Sequence, residues 1–184
     1  MGVRFGGFMH NVELFDGEVF GMSEVEAVYT DPQQRLLLEA AWEALQGAGL
    51  KGGQTGVYVG IQQQEYSGMA GQHATGFIPF MATGGAFSVA AGRLSFKYGL
   101  EGPCLSVDTA CSSALVALLN AVLTLRASEA EAAVVTGVRL ELTLQHTLDA
   151  AFATMLSPSG RCFTLDERAD GYVSSEGVCG TALR

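Results

Sequence analysis

The sequence predicts an α/β layered fold with a mixed or parallel sheet, and three observations carry that prediction. Strand-like apolar runs recur at 55–61, 104–107, 132–138 and from 178 onward. Helical patterns at 31–48, 83–96 and 112–126 alternate with them, which is the signature of a layered α/β sheet. The 184 residues are 48% hydrophobic and only 16% charged, with 24 Gly, so the chain can bury a sizeable core as one domain.

Residues 1–31 read as irregular, with no opening strand and a turn at Gly6-Gly7. Phe5, Phe8, Phe15 and Phe20 need burial, so this stretch is expected to be a docked segment. Asp31-Pro32 opens the first helix, with Asp as N-cap and Pro at the first helical position. Leu37, Ala41, Ala44 and Ala48 form its apolar stripe, with Leu38, Trp42 and Leu45 beside it; Trp42 is expected to anchor the core. Gly47 and Gly49 close the helix. Thr55 to Ile61 is a buried strand, followed by a Gly-rich loop through Gly76 in which His73 is a solvated residue.

Thr83 to Phe96 predicts a second helix with a glycine-rich start. No GK[ST] or GxGxxG follows, so close packing of Ala90, Ala91 and Gly92 is the better reading than phosphate binding. The helix from 112 to 126 is apolar nearly all round and is expected at the centre of the fold. His146 falls in a helix from about 144 to 153, as a surface or packing residue. Ser157 to Arg161 is a turn. Asp166 to Gly171 is a charged loop, read as a local Asp–Arg contact and not as a metal or acid–base site.

The totals exclude several classes. A net charge of −9, with Lys only at 51 and 97, argues against a nucleic-acid partner. The apolar run 114–125 is too short to span a bilayer, and the N-terminus lacks a signal pattern, so a cytoplasmic location is expected. Cys104, Cys111, Cys162 and Cys179 show no CxxC spacing, and His10, His73 and His146 show no i, i+4 pair. No metal site is therefore expected, and reduced thiols are.

One cysteine is placed differently from the others. Cys111 stands at the apex of a small-residue turn between the strand 104–107 and the helix 112–126. The unpaired N–H groups and positive dipole end of that helix would face the sulfur, an arrangement that favours a nucleophilic thiolate. The amide of Cys111 would also be available to an oxyanion. The design parallels the strand-to-helix serine elbow of hydrolases. From spacing alone, an inert buried cysteine is the favoured reading.

The string Asp108-Thr109-Ala110-Cys111-Ser112-Ser113, after Gly102-Pro103 and before Ala114-Leu115-Val116-Ala117-Leu118, resembles the nucleophile motif of β-ketoacyl synthases. It is most similar to the ketosynthase domains of multidomain polyketide synthases. Further blocks match in the same order: Arg4 to Phe8, Leu14 to Asp16, Asp31 to Glu39 with Trp42 to Leu45, and Gly56 to Gly60. Ala82 to Ser95, Met155 to Cys162, and Phe163 to Tyr172 continue the series, so the likeness covers essentially the whole chain.

The resemblance implies a thiolase-like fold, layered α-β-α-β-α with two similar halves and normally dimeric. It implies transfer of an acyl group to Cys111, then decarboxylative Claisen condensation with a malonyl-type carrier thioester, in polyketide or fatty-acid biosynthesis. Cys111 would be the nucleophile, with its backbone N–H as one oxyanion donor. No cofactor is bound directly; the substrates ride on the phosphopantetheine of an acyl carrier protein, and the parent enzyme is expected to be a homodimer. The family's condensation step also uses two histidines and a lysine from the second half, and no segment of this chain matches those motifs. His10, His73 and His146 lack their flanking residues. Residues 1–184 are thus expected to be a partial N-terminal ketosynthase domain, without the first strand or the C-terminal half, and not competent for condensation alone. The alternative is a catalytically incomplete half-domain serving as an interaction or dimerisation module, or a gene remnant.

Overall fold

The structure, a computed structural model, describes residues 4–62, 64–73 and 79–184. It divides into two compact units: Val12–Arg139 with Val178–Arg184, and Met1–Asn11 with Leu140–Gly177. In chain order the elements are α1 (Glu24–Tyr29), α2 (Pro32–Ala48), β1 (Thr55–Ile61), α3 (Tyr66–His73), α4 (Met81–Gly84) and α5 (Phe87–Tyr98). They continue with β2 (Cys104–Val107), α6 (Ser113–Arg126), β3 (Ala132–Arg139), α7 (Leu144–Phe152) and β4 (Gly177–Leu183).

The larger unit is built on a sheet of order β2-β1-β3-β4. β1 runs parallel to both neighbours, with Val57 opposite Cys104 on one side and Val134 on the other. Every residue of β1 is buried, as the unbroken apolar run requires of a central parallel strand. Side chains alternate across the strands and divide the core into two layers. Tyr58, Ala133 and Val135 pack on Ala117 and Ala121 of α6. The phenol of Tyr58 donates to the Thr124 hydroxyl at 2.6 Å, so its burial leaves no orphan polar group. On the opposite face Ser106 Oγ accepts from Ala91 N of α5 at 3.2 Å, and α2 packs beside α5.

Asp31 caps α2 as its residue type predicts: Oδ1 accepts from Gln33 N at 2.8 Å. The carboxyl is fully buried, and Oδ2 has no hydrogen-bond partner. Burial pushes its pKa up to about 6. Gln34 and Arg93 form a second, part-buried polar contact at 2.9 Å, and Arg93 also pairs with Glu26 at 2.9 Å. This chain of contacts ties α1, α2 and α5 together.

Several expectations need correction. Residues 24–29 are helical, capped by Ser23, whose Oγ accepts from Glu26 N at 3.1 Å. The Ser-x-x-Glu spacing is a helix-start signal that the aromatic residues around it obscure. The Gly-rich stretch holds α3; the side chain of His73 and residues 74–78 lie outside the described residues. The helix expected over 83–96 is two helices, α4 and α5, separated by Gly85 and Ala86, and Gln34 Nε2 donates to Ala86 O at 3.2 Å in the break. Ala90 and Ala91 are buried as expected, but Gly92 meets nothing. The close approach is at Gly84, where a Cβ would fall 2.0 Å from Tyr29 O.

Trp42 is 49% exposed and does not anchor the core; Leu37, Leu38, Ala41 and Leu45 do. Phe15 and Phe20 stack with centroids 5.0 Å apart, and Lys97 donates to Val19 O at 3.0 Å, so part of the N-terminal segment is docked. Phe5 and Phe8 stay exposed. Helix α6 is central on one side only: Leu115, Leu119 and Leu123 form an outer stripe that is 71%, 54% and 52% exposed.

In the smaller unit the segment around Gly7 bridges Ser175, with Gly7 N donating to Ser174 O at 3.0 Å. The Glu176 carboxylate accepts from Met9 N at 2.9 Å and Glu141 N at 3.0 Å. The 157–161 turn has Gly160 at φ +70°. Arg168 forks onto Asp166 at 2.9 and 2.8 Å, the local pair read from the sequence; this holds the Asp166 carboxyl below its ordinary range.

Candidate active site

The site grows from the end of β2. After Val107, the Asp108 side chain accepts from Ala110 N at 2.9 Å and turns the chain. Ala110 takes φ +58°, a left-handed conformation that costs a residue with a Cβ about 1 kcal/mol. Such strain persists only where surrounding bonds hold it. Here they are on the next turn. Ser113 Oγ accepts from Thr109 N at 2.9 Å and donates to Ala110 O at 2.6 Å. The Ser112 hydroxyl donates to Thr109 O at 2.8 Å. The elbow from 109 to 113 is therefore laced to itself, and Cys111 stands exposed at its tip, directly before α6. No acidic residue lies in the first turn of α6 to compete with an incoming anion for the positive helix end.

The sheet admits this turn at unusually close range. Gly60 of β1 lies opposite Gly137 of β3. A Cβ on Gly60 would fall 2.5 Å from Ala114 N and 2.7 Å from Ser113 C. A Cβ on Gly137 would fall 2.8 Å from the Ala114 methyl. Neither glycine was singled out from the sequence, yet a glycine inside a strand run is a signal of close backbone approach. The left-handed Ala110 and the Ser113 staple had no such signal; they follow from the turn's hydrogen bonds. Beside the turn, Ala114, Leu115, Leu118, Val135, Gly137 and Cys179 line an apolar recess of about 180 Å³.

Cys104, Cys111, Cys162 and Cys179 are all free thiols and all exposed, so access alone does not separate them. Position does, since Cys111 abuts a helix N-terminus. Cys104 opens β2, Cys179 is within β4, and Cys162 Sγ accepts from Val173 N at 3.4 Å. His10 and His146 belong to the smaller unit. Among the described residues no group of His, Cys, Asp or Glu is placed to hold a metal ion, and no helix is long and apolar enough to cross a membrane.

A family profile described as "Beta-ketoacyl synthase, N-terminal domain" matches residues 1–183. Among curated proteins, polyketide synthase GfsB of Streptomyces halstedii is 44% identical over 94% of this chain and 3% of its own length. A mycocerosic acid synthase-like polyketide synthase of Mycolicibacterium smegmatis is 42% identical over 98% of this chain and 9% of its own length. Among solved structures, the ketosynthase from module 6 of the bacillaene synthase of Bacillus subtilis 168 superposes with TM-score 0.83 at 35% identity, over 95% of this chain and 30% of that one. An oxazolomycin ketosynthase domain of Streptomyces albus JA3453 gives TM-score 0.82 at 32% identity, over 97% and 31%. The chain thus spans under a tenth of these two curated relatives and about a third of the solved ketosynthase chains. The fold is that of the thiolase-like ketosynthase domains, and the chain belongs to the β-ketoacyl synthase family, as an N-terminal domain of the polyketide synthase type.

Proposed function

We infer that this chain is the acyl-accepting part of a ketosynthase that extends a polyketide chain, with Cys111 as its nucleophile. The observation that carries the reading is the exposed thiol on a strained, hydrogen-bonded elbow at the head of α6, within the family's nucleophile string. The Cys111 thiolate attacks the carbonyl of an acyl thioester carried on the phosphopantetheine of an acyl carrier protein. The negative charge moves to oxygen, near the Cys111 amide, then returns as the carbon–sulfur bond to the carrier breaks. The products are acyl-Cys111 and the carrier thiolate, which takes a proton from water. In the condensation half, a malonyl-type thioester on a carrier loses CO₂. Its enolate carbon attacks acyl-Cys111, which expels the Cys111 thiolate and yields a β-ketoacyl thioester. The histidines and lysine of that second step are not among these 184 residues in this reading, and the working enzyme is a homodimer of the larger protein.

The test is acylation of Cys111. The full-length protein is incubated with an acyl-N-acetylcysteamine thioester, digested, and the mass of the Cys111 peptide is read. Acyl addition at Cys111, abolished in Cys111→Ala, is expected; addition that persists in the variant refutes the assignment. A second reading, a non-catalytic interaction module, draws on the exposed Leu115–Leu119–Leu123 stripe. It predicts no acylation at Cys111 in any context.

A further inference from the structure

We propose that the facing glycines Gly60 and Gly137 are positioning residues for the nucleophile: together they form a notch in the sheet that seats Ala114 and so fixes where Cys111 presents its sulfur. The inference rests on the reading of Cys111 as the acylated residue. The two glycines are register partners on adjacent strands, on the face that carries α6. Their missing side chains are the space that the first turn of α6 occupies.

The two positions differ in what they would meet. At Gly60 the obstruction is backbone, Ala114 N at 2.5 Å and Ser113 C at 2.7 Å, which cannot rotate away. A side chain there must push the whole turn off the sheet. At Gly137 the near atom is one methyl, Ala114 Cβ at 2.8 Å. A contact of at least about 3.4 Å is ordinary, so Gly137→Ala lifts the head of α6 by several tenths of an ångström. Ser113 transmits the shift, because its hydroxyl bonds both Thr109 N and Ala110 O, the two residues before Cys111. The helix end and the elbow move as one body, and the thiol moves with them. Misplacement of a reacting group by about 1 Å costs on the order of a hundredfold in rate, so a few tenths should cost about tenfold.

The notch also predicts its own remedy. Removing the Ala114 methyl clears the obstruction that Gly137→Ala creates, so Gly137→Ala/Ala114→Gly should recover the position of the turn. Gly60→Ala has no such remedy, since its obstruction is main chain.

The experiment compares the full-length wild-type protein, Gly137→Ala and the double variant. Two rates are read at Cys111: acylation by an acyl-N-acetylcysteamine thioester, and alkylation by iodoacetamide at one near-neutral pH. Alkylation of Cys104 and Cys162 in the same samples reports general damage. The expected result is an acylation rate about tenfold lower in Gly137→Ala and back within about threefold of wild type in the double variant. The rate of Cys111 alkylation should change in the single variant and return in the double, with the rates at Cys104 and Cys162 constant. Wild-type rates in Gly137→Ala would overturn the proposal. So would a loss that the double variant fails to restore, or one shared by Cys104 and Cys162. If wild-type Cys111 takes no acyl group, the functional reading falls, while the alkylation rates of the three proteins still decide whether the notch positions the thiol.

Discussion

Asp31 offers the sharpest test of how this fold is held together, because one atom caps a helix while its neighbour is buried without a partner. Folding moves the carboxyl from water to a site where burial raises its pKa from 3.8 to about 6, against the smaller opposing pulls of the Gln33 hydrogen bonds and the Arg35 charge. The folded state therefore binds the proton more tightly than the unfolded chain does. The stabilising contribution of protonated Asp31 is complete below pH about 4 and is lost as the pH rises through about 6. The difference between 3.8 and about 6 corresponds to about 3 kcal/mol across that window. Asp31→Asn keeps the cap, because Asn is as good an N-cap as Asp, and removes the titration. Its amide N–H₂ then occupies the place of an unpartnered oxygen, which can cost about 1–3 kcal/mol. Stability at pH 7 should thus be equal to wild type or higher by up to about 2 kcal/mol. The slope is the decisive quantity. Urea unfolding, followed by Trp42 fluorescence at fixed protein concentration, should show wild type losing about 3 kcal/mol more than the variant between pH 4 and pH 7. Parallel curves for the two proteins would refute the buried-charge argument.

Three further outcomes follow from the geometry. Iodoacetamide near neutral pH should label Cys111 faster than Cys104, Cys162 and Cys179; since all four are exposed, equal rates by peptide mass would remove the case for an activated thiol. Residues 1–184 expressed alone should sediment as a dimer or larger, and Leu119→Lys with Leu123→Lys should shift the distribution toward monomer, because the α6 stripe leaves contiguous apolar surface uncovered; a monodisperse wild-type monomer would contradict this. Gly84→Ala should destabilise by about 3 kcal/mol or prevent folding, as its methyl would meet Tyr29 O at 2.0 Å; a thermal midpoint unchanged from wild type would show that the approach to Tyr29 relaxes without cost.

The elements most legible in the sequence were those with a single dominant cause. β1 was readable because a central parallel strand is apolar on both faces, and α2 because Asp31, Pro32 and Gly49 mark its ends. The elbow was readable because strand, small residues and apolar helix succeed one another without a gap. What was not legible depends on partners distant in sequence. Trp42 looks like a core residue by type, but the stripe that meets the sheet is filled by Leu37, Leu38, Ala41 and Leu45. Helix α6 is apolar nearly all round, and periodicity cannot say which side of such a helix is covered. α4 and α5 read as one helix because the break between them is held from outside, by Gln34. At the candidate site, the place of Cys111 on a strand-to-helix turn was visible from the sequence, whereas the two glycines beneath it face each other only once β1 and β3 lie in register.

That register has a consequence for how the chain is made. About 70 residues separate Ile61 of β1 from Ala132 of β3, yet the two strands are neighbours along their full length. A ribosome adding roughly 5–20 residues per second takes about 4–14 s to cover that distance. For those seconds a strand whose every residue ends up buried, destined for the middle of a sheet, has no partner on its β3 side. Slow closure of this kind is the regime in which unpaired strands meet other chains first. The rate of synthesis between β1 and β3, and whatever shields β1 during it, therefore bears on the yield of folded protein as directly as the contacts of the finished core.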